Sequence, residues 1–128
     1  MTIQKVVESF QEALGKGEVP KAFSFFSADV QWHQPGNNKF SGTKNGVEEL
    51  GAMFGGMMEH SQGSFVVAPN GSHMVNGDLL ASPVLFTAKS GDRKLNMTGI
   101  DLFEVKDGKI TQVWLFSDDQ AEEDGFWN

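Results

Sequence analysis

The chain has 128 residues, a formal net charge of −7 and a pI of about 4.8, which argues against nucleic acid and anionic membranes as partners. The absence of cysteine excludes disulfides, thiol catalysis and cysteine-based zinc sites. A hydrophobic content of 39%, with 11 Phe and 3 Trp, favours one folded domain over residues 1–128.

The amino-terminal half predicts mainly helices. Apolar residues recur at helical spacing from Ile3 to Leu14, behind Thr2 as N-cap. A short second helix is predicted after Pro20 and includes Phe26. The segment 1–17 is amphipathic and unlike a signal peptide, and no apolar run approaches the roughly 18 residues of a membrane helix, so we expect a cytoplasmic protein.

A short strand over residues 30–34 and a loop over "NNKFSG" precede a third helix that is expected to end near Glu59. Asn45 and Glu48 resemble a capping box at its start. Residues 64–75 predict one irregular strand, and Asn76 with Gly77 predicts a hairpin into the next strand.

Two long strands follow, over residues 93–106 and 109–117, with a turn at Asp107 and Gly108 between them. The remaining residues, 118–128, are acidic and end in Phe126 and Trp127. Asp118 and Asp119 are expected to belong to a solvated acidic terminus, and the alternative places them at the pocket mouth. Helices first and antiparallel strands afterwards indicate an α+β fold, with helices packed on one face of a curved antiparallel sheet that encloses a pocket.

Strand alternation raises one chemical question. Asp101 shares a sheet face with Phe103, and a one-residue bulge in the final hairpin would place it opposite Leu115 and near Val113. In such apolar surroundings burial raises the pKa of a carboxyl group, and a neutral carboxylic acid can donate a hydrogen bond to a developing oxyanion. The alternative is a carboxylate that bonds backbone or solvent at the pocket rim.

Three segments appear in a characteristic order: "SADVQWHQPGNNKFSGTKNGVEEL", "GIDLFEVKDGKITQVWLFSDD" and "DDQAEEDGFW". With the order of elements, they make the chain similar to the SnoaL-like proteins of the nuclear transport factor 2-like superfamily. That group includes ketosteroid isomerases, polyketide cyclases and limonene epoxide hydrolases. The resemblance implies a cone-shaped fold with a pocket, commonly a homodimer formed through the sheet.

The resemblance carries over only in part. Asp101 matches the oxyanion-hole aspartate of the isomerases, but Gln34 stands where they have their catalytic base and Phe10 where they have a tyrosine. Leu115 stands where the cyclases have their acid–base aspartate. The known catalytic sets of the family are therefore incomplete in this chain.

The expected site follows from these points. Asp101 is the candidate catalytic residue, and the ligand-binding candidates are Phe10, Trp32, Gln34, Phe54, Met58, Phe103, Val113 and Leu115. The histidines lack metal-binding spacing, so no metal and no cofactor is expected. His33 is predicted to point away from the pocket, because it alternates with Trp32 and Gln34.

The expected partner is a small apolar molecule with a carbonyl or hydroxyl group, and the expected reaction is a proton-transfer isomerisation, cyclisation or hydration. The alternative is a non-catalytic dimeric binding or scaffold domain. A homodimer is expected through the sheet face that bears Trp114 and Phe116.

Overall fold

The computed structural model describes residues 1–128. In chain order the elements are α1 (Ile3–Gly15), α2 (Val19–Phe23), β1 (Phe26–Gln34), β2 (Gly42–Asn45), α3 (Gly46–His60), β3 (Val66–Pro69), β4 (Met74–Asn76), β5 (Leu79–Ser90), β6 (Arg93–Lys106), β7 (Lys109–Ser117) and α4 (Gln120–Trp127). No helix combines the length and the hydropathy that crossing a membrane would require.

The sheet is curved and unclosed, with strand order β2-β1-β7-β6-β5-β3. Strand β4 pairs with the amino-terminal end of β5. All pairs are antiparallel except β1 with β7, which run parallel. The fold is the expected α+β arrangement, with this one parallel pair added to the expected antiparallel sheet. One cluster of 23 buried apolar residues lies between the helices and the inner face of the sheet.

Helix α1 follows from its apolar spacing and its cap. The Oγ1 atom of Thr2 accepts a hydrogen bond from the backbone N–H of Lys5 at 3.1 Å, as expected for an N-cap. Val6, Val7 and Phe10 form the buried face, and the ring of Phe10 packs on the aromatic core.

The final hairpin has the predicted register. Asp107 and Gly108 form a two-residue turn with φ values of 53° and 75°, which matches a type I′ turn. The extra residue is not in the turn but at Thr111, because Val105 pairs with Ile110 whereas Glu104 pairs with Gln112. The prediction that Asp101 lies opposite Leu115 is confirmed.

Several predicted elements were wrong. Phe26 belongs to β1, which begins four residues before the predicted strand, because Phe26 pairs with Ile110 of β7. Strand β2 lies where the sequence shows only polar residues, since it is an exposed edge strand. The single strand expected over residues 64–75 is two strands, β3 and β4, separated by residues 70–73.

The capping box at Asn45 is also wrong. The Asn45 side chain makes no cap bond, because its Oδ1 atom accepts from the Gln31 side chain across the β1–β2 pair. The backbone N–H of Asn45 instead donates to the Oε1 atom of Glu49 at 2.9 Å, one residue beyond the predicted Glu48.

The acidic terminus is the largest structural departure from expectation, because most of it forms α4. The Asp119 side chain accepts from the backbone N–H of Glu122 at 3.1 Å and caps the helix. Glu123, Phe126 and Trp127 lie on the buried face. A helix in this position closes one side of the space above the sheet.

Candidate functional site

A cavity of about 330 Å³ lies between the helices and the inner face of the sheet. Of its 22 lining residues, 14 are hydrophobic, which gives it the character of a site for a small apolar ligand. One wall is aromatic, because the ring of Trp32 packs edge-on against Phe54 at 5.1 Å between centroids. The end of α1 and the start of α2 also line the cavity, through Leu14 and Val19.

Asp101 faces this cavity from the middle of β6. It stands between Ser82 of β5 and Leu115 of β7, and only 9% of the residue is exposed. Burial, and secondarily the charge of Glu123, raise the pKa of Asp101 from its ordinary value to about 7. No protein group donates a hydrogen bond to its carboxyl group. At neutral pH a large share of Asp101 therefore carries a proton.

Gly99 allows β6 and β7 to approach each other closely beside Asp101. Gly99 lies two residues earlier on the same face, where a Cβ atom would overlap the carbonyl oxygen of Phe116 and crowd the ring of Phe86. The backbone of β7 therefore comes unusually close to β6 at this point. Any larger residue at position 99 would therefore clash with the β7 backbone, two residues from Asp101.

Glu123 brings a second carboxyl group to the cavity, from α4. The residue is only 5% exposed, and its two oxygens accept hydrogen bonds from Gln120 Nε2 at 3.1 Å and from the indole N–H of Trp127 at 3.3 Å. Burial raises the pKa of Glu123 above its ordinary value, and these hydrogen bonds partly oppose the increase. The cavity thus contains two carboxyl groups in different surroundings.

Gln34 is the other polar group of the inner wall, and Trp32 fixes its orientation. The indole N–H of Trp32 donates to Gln34 Oε1 at 2.9 Å. An indole N–H can only donate, so the amide oxygen must face it and the amide NH₂ is left for another partner. Gln34 is 7% exposed and lines the cavity. Its NH₂ group can therefore donate a hydrogen bond to a ligand there.

Gln11 completes the polar part of the wall from α1. Its Nε2 atom donates to the hydroxyl oxygen of Ser82 at 2.9 Å, and Ser82 is fully buried next to Asp101 in the sheet. The amide oxygen of Gln11 is then free of this contact and can accept from a ligand. Donors and acceptors therefore lie on both sides of Asp101.

Helix α4 is held in place from outside the cavity. Asp124 accepts from the backbone N–H of Asn37 at 3.1 Å and from the Nδ2 atom of Asn38 at 2.8 Å. The Nε2 atom of His60 donates to the carbonyl oxygen of Phe126 at 2.6 Å. These contacts determine where Glu123 enters the cavity.

Most of the sequence-predicted site residues meet at this cavity. Asp101, Phe10, Trp32, Gln34, Phe54, Met58 and Leu115 all line it. Phe103 and Val113 do not, because both are fully buried in the core beneath the cavity floor. That any of these residues binds a ligand stays a prediction.

Glu123 and Gln11 were missed by the sequence reasoning. The signal for Glu123 was present, since Glu123, Phe126 and Trp127 have the spacing of one helix face, but the surrounding acidic residues made the segment read as solvated. Asp118 and Asp119 of the same segment are indeed exposed. Gln11 gave no signal beyond lying on the amphipathic α1.

The comparisons agree with this architecture. A family model described as SnoaL-like domain matches residues 7–113. A crystal structure of a protein of unknown function with a cystatin-like fold from Xanthomonas campestris is 40% identical, with a TM-score of 0.95 over 100% of this chain and 99% of that chain. No curated protein matches the chain.

Two more distant structures share the fold. Bal32a, from a soil-derived mobile gene cassette, is 23% identical, with a TM-score of 0.92 over 98% of this chain and 96% of its own. TerC, co-crystallized with polyporic acid, is 16% identical, with a TM-score of 0.85 over 98% of each chain. Because the family model covers most of the sequence, the chain belongs to the SnoaL-like domain family.

Proposed function

We propose that this protein binds a small, largely apolar carbonyl compound and promotes a proton transfer on it, as an isomerase or cyclase, with Asp101 as the acid. The observation that carries the proposal is the buried carboxyl group of Asp101, which faces an apolar cavity and receives no hydrogen bond from the protein. Because Asp101 lines the cavity, a ligand there can supply the hydrogen-bond partner that the protein does not.

The chemistry of Asp101 suits this role. A carboxylic acid that is neutral near pH 7 can donate a hydrogen bond, or its proton, to a carbonyl oxygen on which negative charge develops. An ionised carboxylate could only repel that charge. The raised pKa of Asp101, about 7, keeps the donor form available at neutral pH.

Gln34 would support the same ligand. Its NH₂ group, oriented by Trp32, is a second donor in the cavity, and the apolar wall would contact the remainder of the molecule. TerC, which shares the fold, was crystallized with polyporic acid. That example supports a small organic ligand as the occupant of the present cavity.

The proposal predicts that the cavity binds a small aromatic oxyanion and that Asp101 contributes to the affinity. 4-Nitrophenol is small enough for the cavity, and its phenolate resembles an enolate oxygen on an apolar ring. We expect the wild-type protein to bind this probe, with quenching of its tryptophan fluorescence, and D101N to bind at least about tenfold more weakly, because the amide of asparagine is a much weaker hydrogen-bond donor than a carboxylic acid. Titrations of both proteins near pH 7 would measure the two dissociation constants.

D118N is the matched control, because Asp118 is exposed and bonds Thr98 outside the cavity. It should bind the probe as the wild type does. Equal binding by D101N and wild type would contradict the role of Asp101 and favour the alternative, a non-catalytic binding or scaffold domain.

We also propose that two copies associate through the outer face of the sheet. Ile100 pairs with Phe116 and Leu102 with Trp114 across β6 and β7, so four large apolar side chains share this face. Phe116 is 55% exposed, and a contiguous apolar patch of this kind is typical of an interaction surface.

The association predicts a dimer in light scattering after size exclusion, and a monomer for F116D, since a carboxylate in the centre of the patch would be desolvated. V75D is the control, because Val75 is 43% exposed on β4 and away from the patch. A monomeric wild type, or an F116D protein that remains dimeric, would contradict this arrangement.

A further inference from the structure

We infer that Glu123 is the base that works with Asp101: it removes a proton from the carbon next to the ligand's carbonyl group, while Asp101 stabilises the oxygen. The inference rests on the proposed function and extends it to a second residue. It supplies the proton acceptor that Gln34, an amide, cannot be.

The placement of Glu123 supports this role. Its carboxyl group lines the same cavity as Asp101 but comes from α4, whereas Asp101 comes from β6. A ligand between the two elements would therefore meet both groups. The carboxylate oxygens of Glu123 accept hydrogen bonds from Gln120 and Trp127, and the carboxylate keeps a lone pair that can take a proton.

The charged surroundings assign the two roles. Asp101 receives no hydrogen bond, so it favours its neutral form and acts as donor. Glu123 is held by Gln120 and Trp127, which stabilise its ionised form. The titratable groups near Glu123 are Asp124 of the same helix, whose negative charge raises the pKa of Glu123, and Asp101, whose own pKa is raised by the charge of Glu123.

Burial also strengthens the base. No lysine, arginine or histidine contributes to the shift of Glu123, so no cation neutralises it in the cavity. A desolvated carboxylate with a raised pKa is a better proton acceptor than a solvated one. Of the two buried carboxyl groups, only Glu123 accepts hydrogen bonds that favour its ionised form, and such a difference in surroundings is how sites assign an acid and a base.

The step balances without any co-reactant. The C–H bond next to the carbonyl breaks, and its proton forms an O–H bond with Glu123. The C–H electron pair forms a C=C bond, and the carbonyl π pair moves to the oxygen, which takes a hydrogen bond or the proton from Asp101. Return of the proton from Glu123 to another carbon, with any proton on the oxygen going back to Asp101, completes an isomerisation. Where the proton on Glu123 is first replaced by one from solvent, its return to the original carbon exchanges that position with solvent.

Exchange makes the inference testable before the natural substrate is known. 2-Tetralone is a small apolar ketone whose α-protons exchange with D₂O, and proton NMR follows their loss. We expect the wild-type protein to accelerate this exchange above the buffer rate. E123Q, which keeps the shape of the side chain but cannot accept the proton, should lower the protein-dependent rate by about 10²–10⁴-fold.

The affinity for the probe distinguishes a catalytic base at position 123 from a residue that only supports the structure. Once Glu123 holds the proton it is neutral, so Gln at position 123 resembles the protein with the intermediate bound. E123Q should therefore bind 4-nitrophenolate as tightly as the wild type or more tightly, even though exchange is lost. E122Q, on the exposed side of the same helix, is the control and should leave exchange and binding unchanged.

Three results would contradict the role of Glu123 as the base. Exchange that survives in E123Q, absence of exchange by the wild-type protein, or a loss of probe binding by E123Q in parallel with exchange would overturn the inference. Failure of the proposed function appears elsewhere, as D101N binding 4-nitrophenol no more weakly than the wild type. The two ideas can therefore fail independently.

Discussion

Replacing Trp127 with alanine is expected to lower the free energy of unfolding by roughly 3–5 kcal/mol, the usual range for a large aromatic removed from a core. Trp127 is fully buried. Its ring meets Phe126, Phe65 and Phe40 edge-on, with centroids 4.9, 5.1 and 5.5 Å away. A domain of this size is stable by about 5–15 kcal/mol, so the loss is a large fraction of the total.

Urea unfolding followed by circular dichroism would measure the change. W127F is the matched control, because it keeps an aromatic ring in the cluster, leaves a much smaller void than alanine and removes the indole N–H that bonds Glu123. Its loss should be smaller, about 1–2 kcal/mol, the cost of a buried acceptor left without its donor. A loss below about 1 kcal/mol for W127A would mean that α4 does not contribute to the core.

Between pH 4 and pH 7 the protein is expected to become less stable as the pH rises, because of Asp101. Its folded-state pKa is about 7 and its ordinary value is 3.8, so in this window the folded state binds a proton that the unfolded state has released. Stability therefore falls with pH, by roughly 4 kcal/mol in all for a shift of this size. Glu123, whose pKa is also raised, acts in the same direction.

D101N should remove most of this dependence, because asparagine has nearly the same shape and no charge. At pH 8 we expect D101N to be more stable than the wild type by roughly 2–4 kcal/mol, and at pH 4 to be about equal. Urea unfolding of both proteins across this range would test it, with D118N as a control that keeps the wild-type slope. Identical slopes for D101N and wild type would show that Asp101 is solvated and ionised in the folded protein.

Much of the strand region could be predicted because its signals are local. The turn at Asp107 and Gly108 fixes the hairpin, and strict alternation then assigns Asp101 to the inner face. A one-residue bulge, expected in the turn and found at Thr111, places Leu115 opposite Asp101. His33 was correctly expected to face outward, where its ring stacks on Trp114 at 5.2 Å.

The other features of the fold and the site depend on contacts between residues that are far apart in sequence, which a local pattern does not reveal. Phe103 and Val113 share the face of Asp101, but alternation cannot tell a cavity wall from the core beneath it. Glu123 is acidic and lies among acidic residues, so composition predicted solvent, and only the docking of α4 by Asp124 and His60 buries it. Strand β2 is polar and exposed, so it had no hydrophobic signal to detect.

The parallel pairing of β1 with β7 has a consequence for how the chain folds during synthesis. His33 and Gln112 meet across this pair although 79 positions separate them in sequence. Contacts of such long range form late and slow the search for the native state. Until the ribosome has released almost the whole chain, β1 can pair only with β2 and exposes its other edge. The acid on β6, the amide on β1 and the carboxylate on α4 would therefore come together last, so a nascent or prematurely terminated chain has no assembled site.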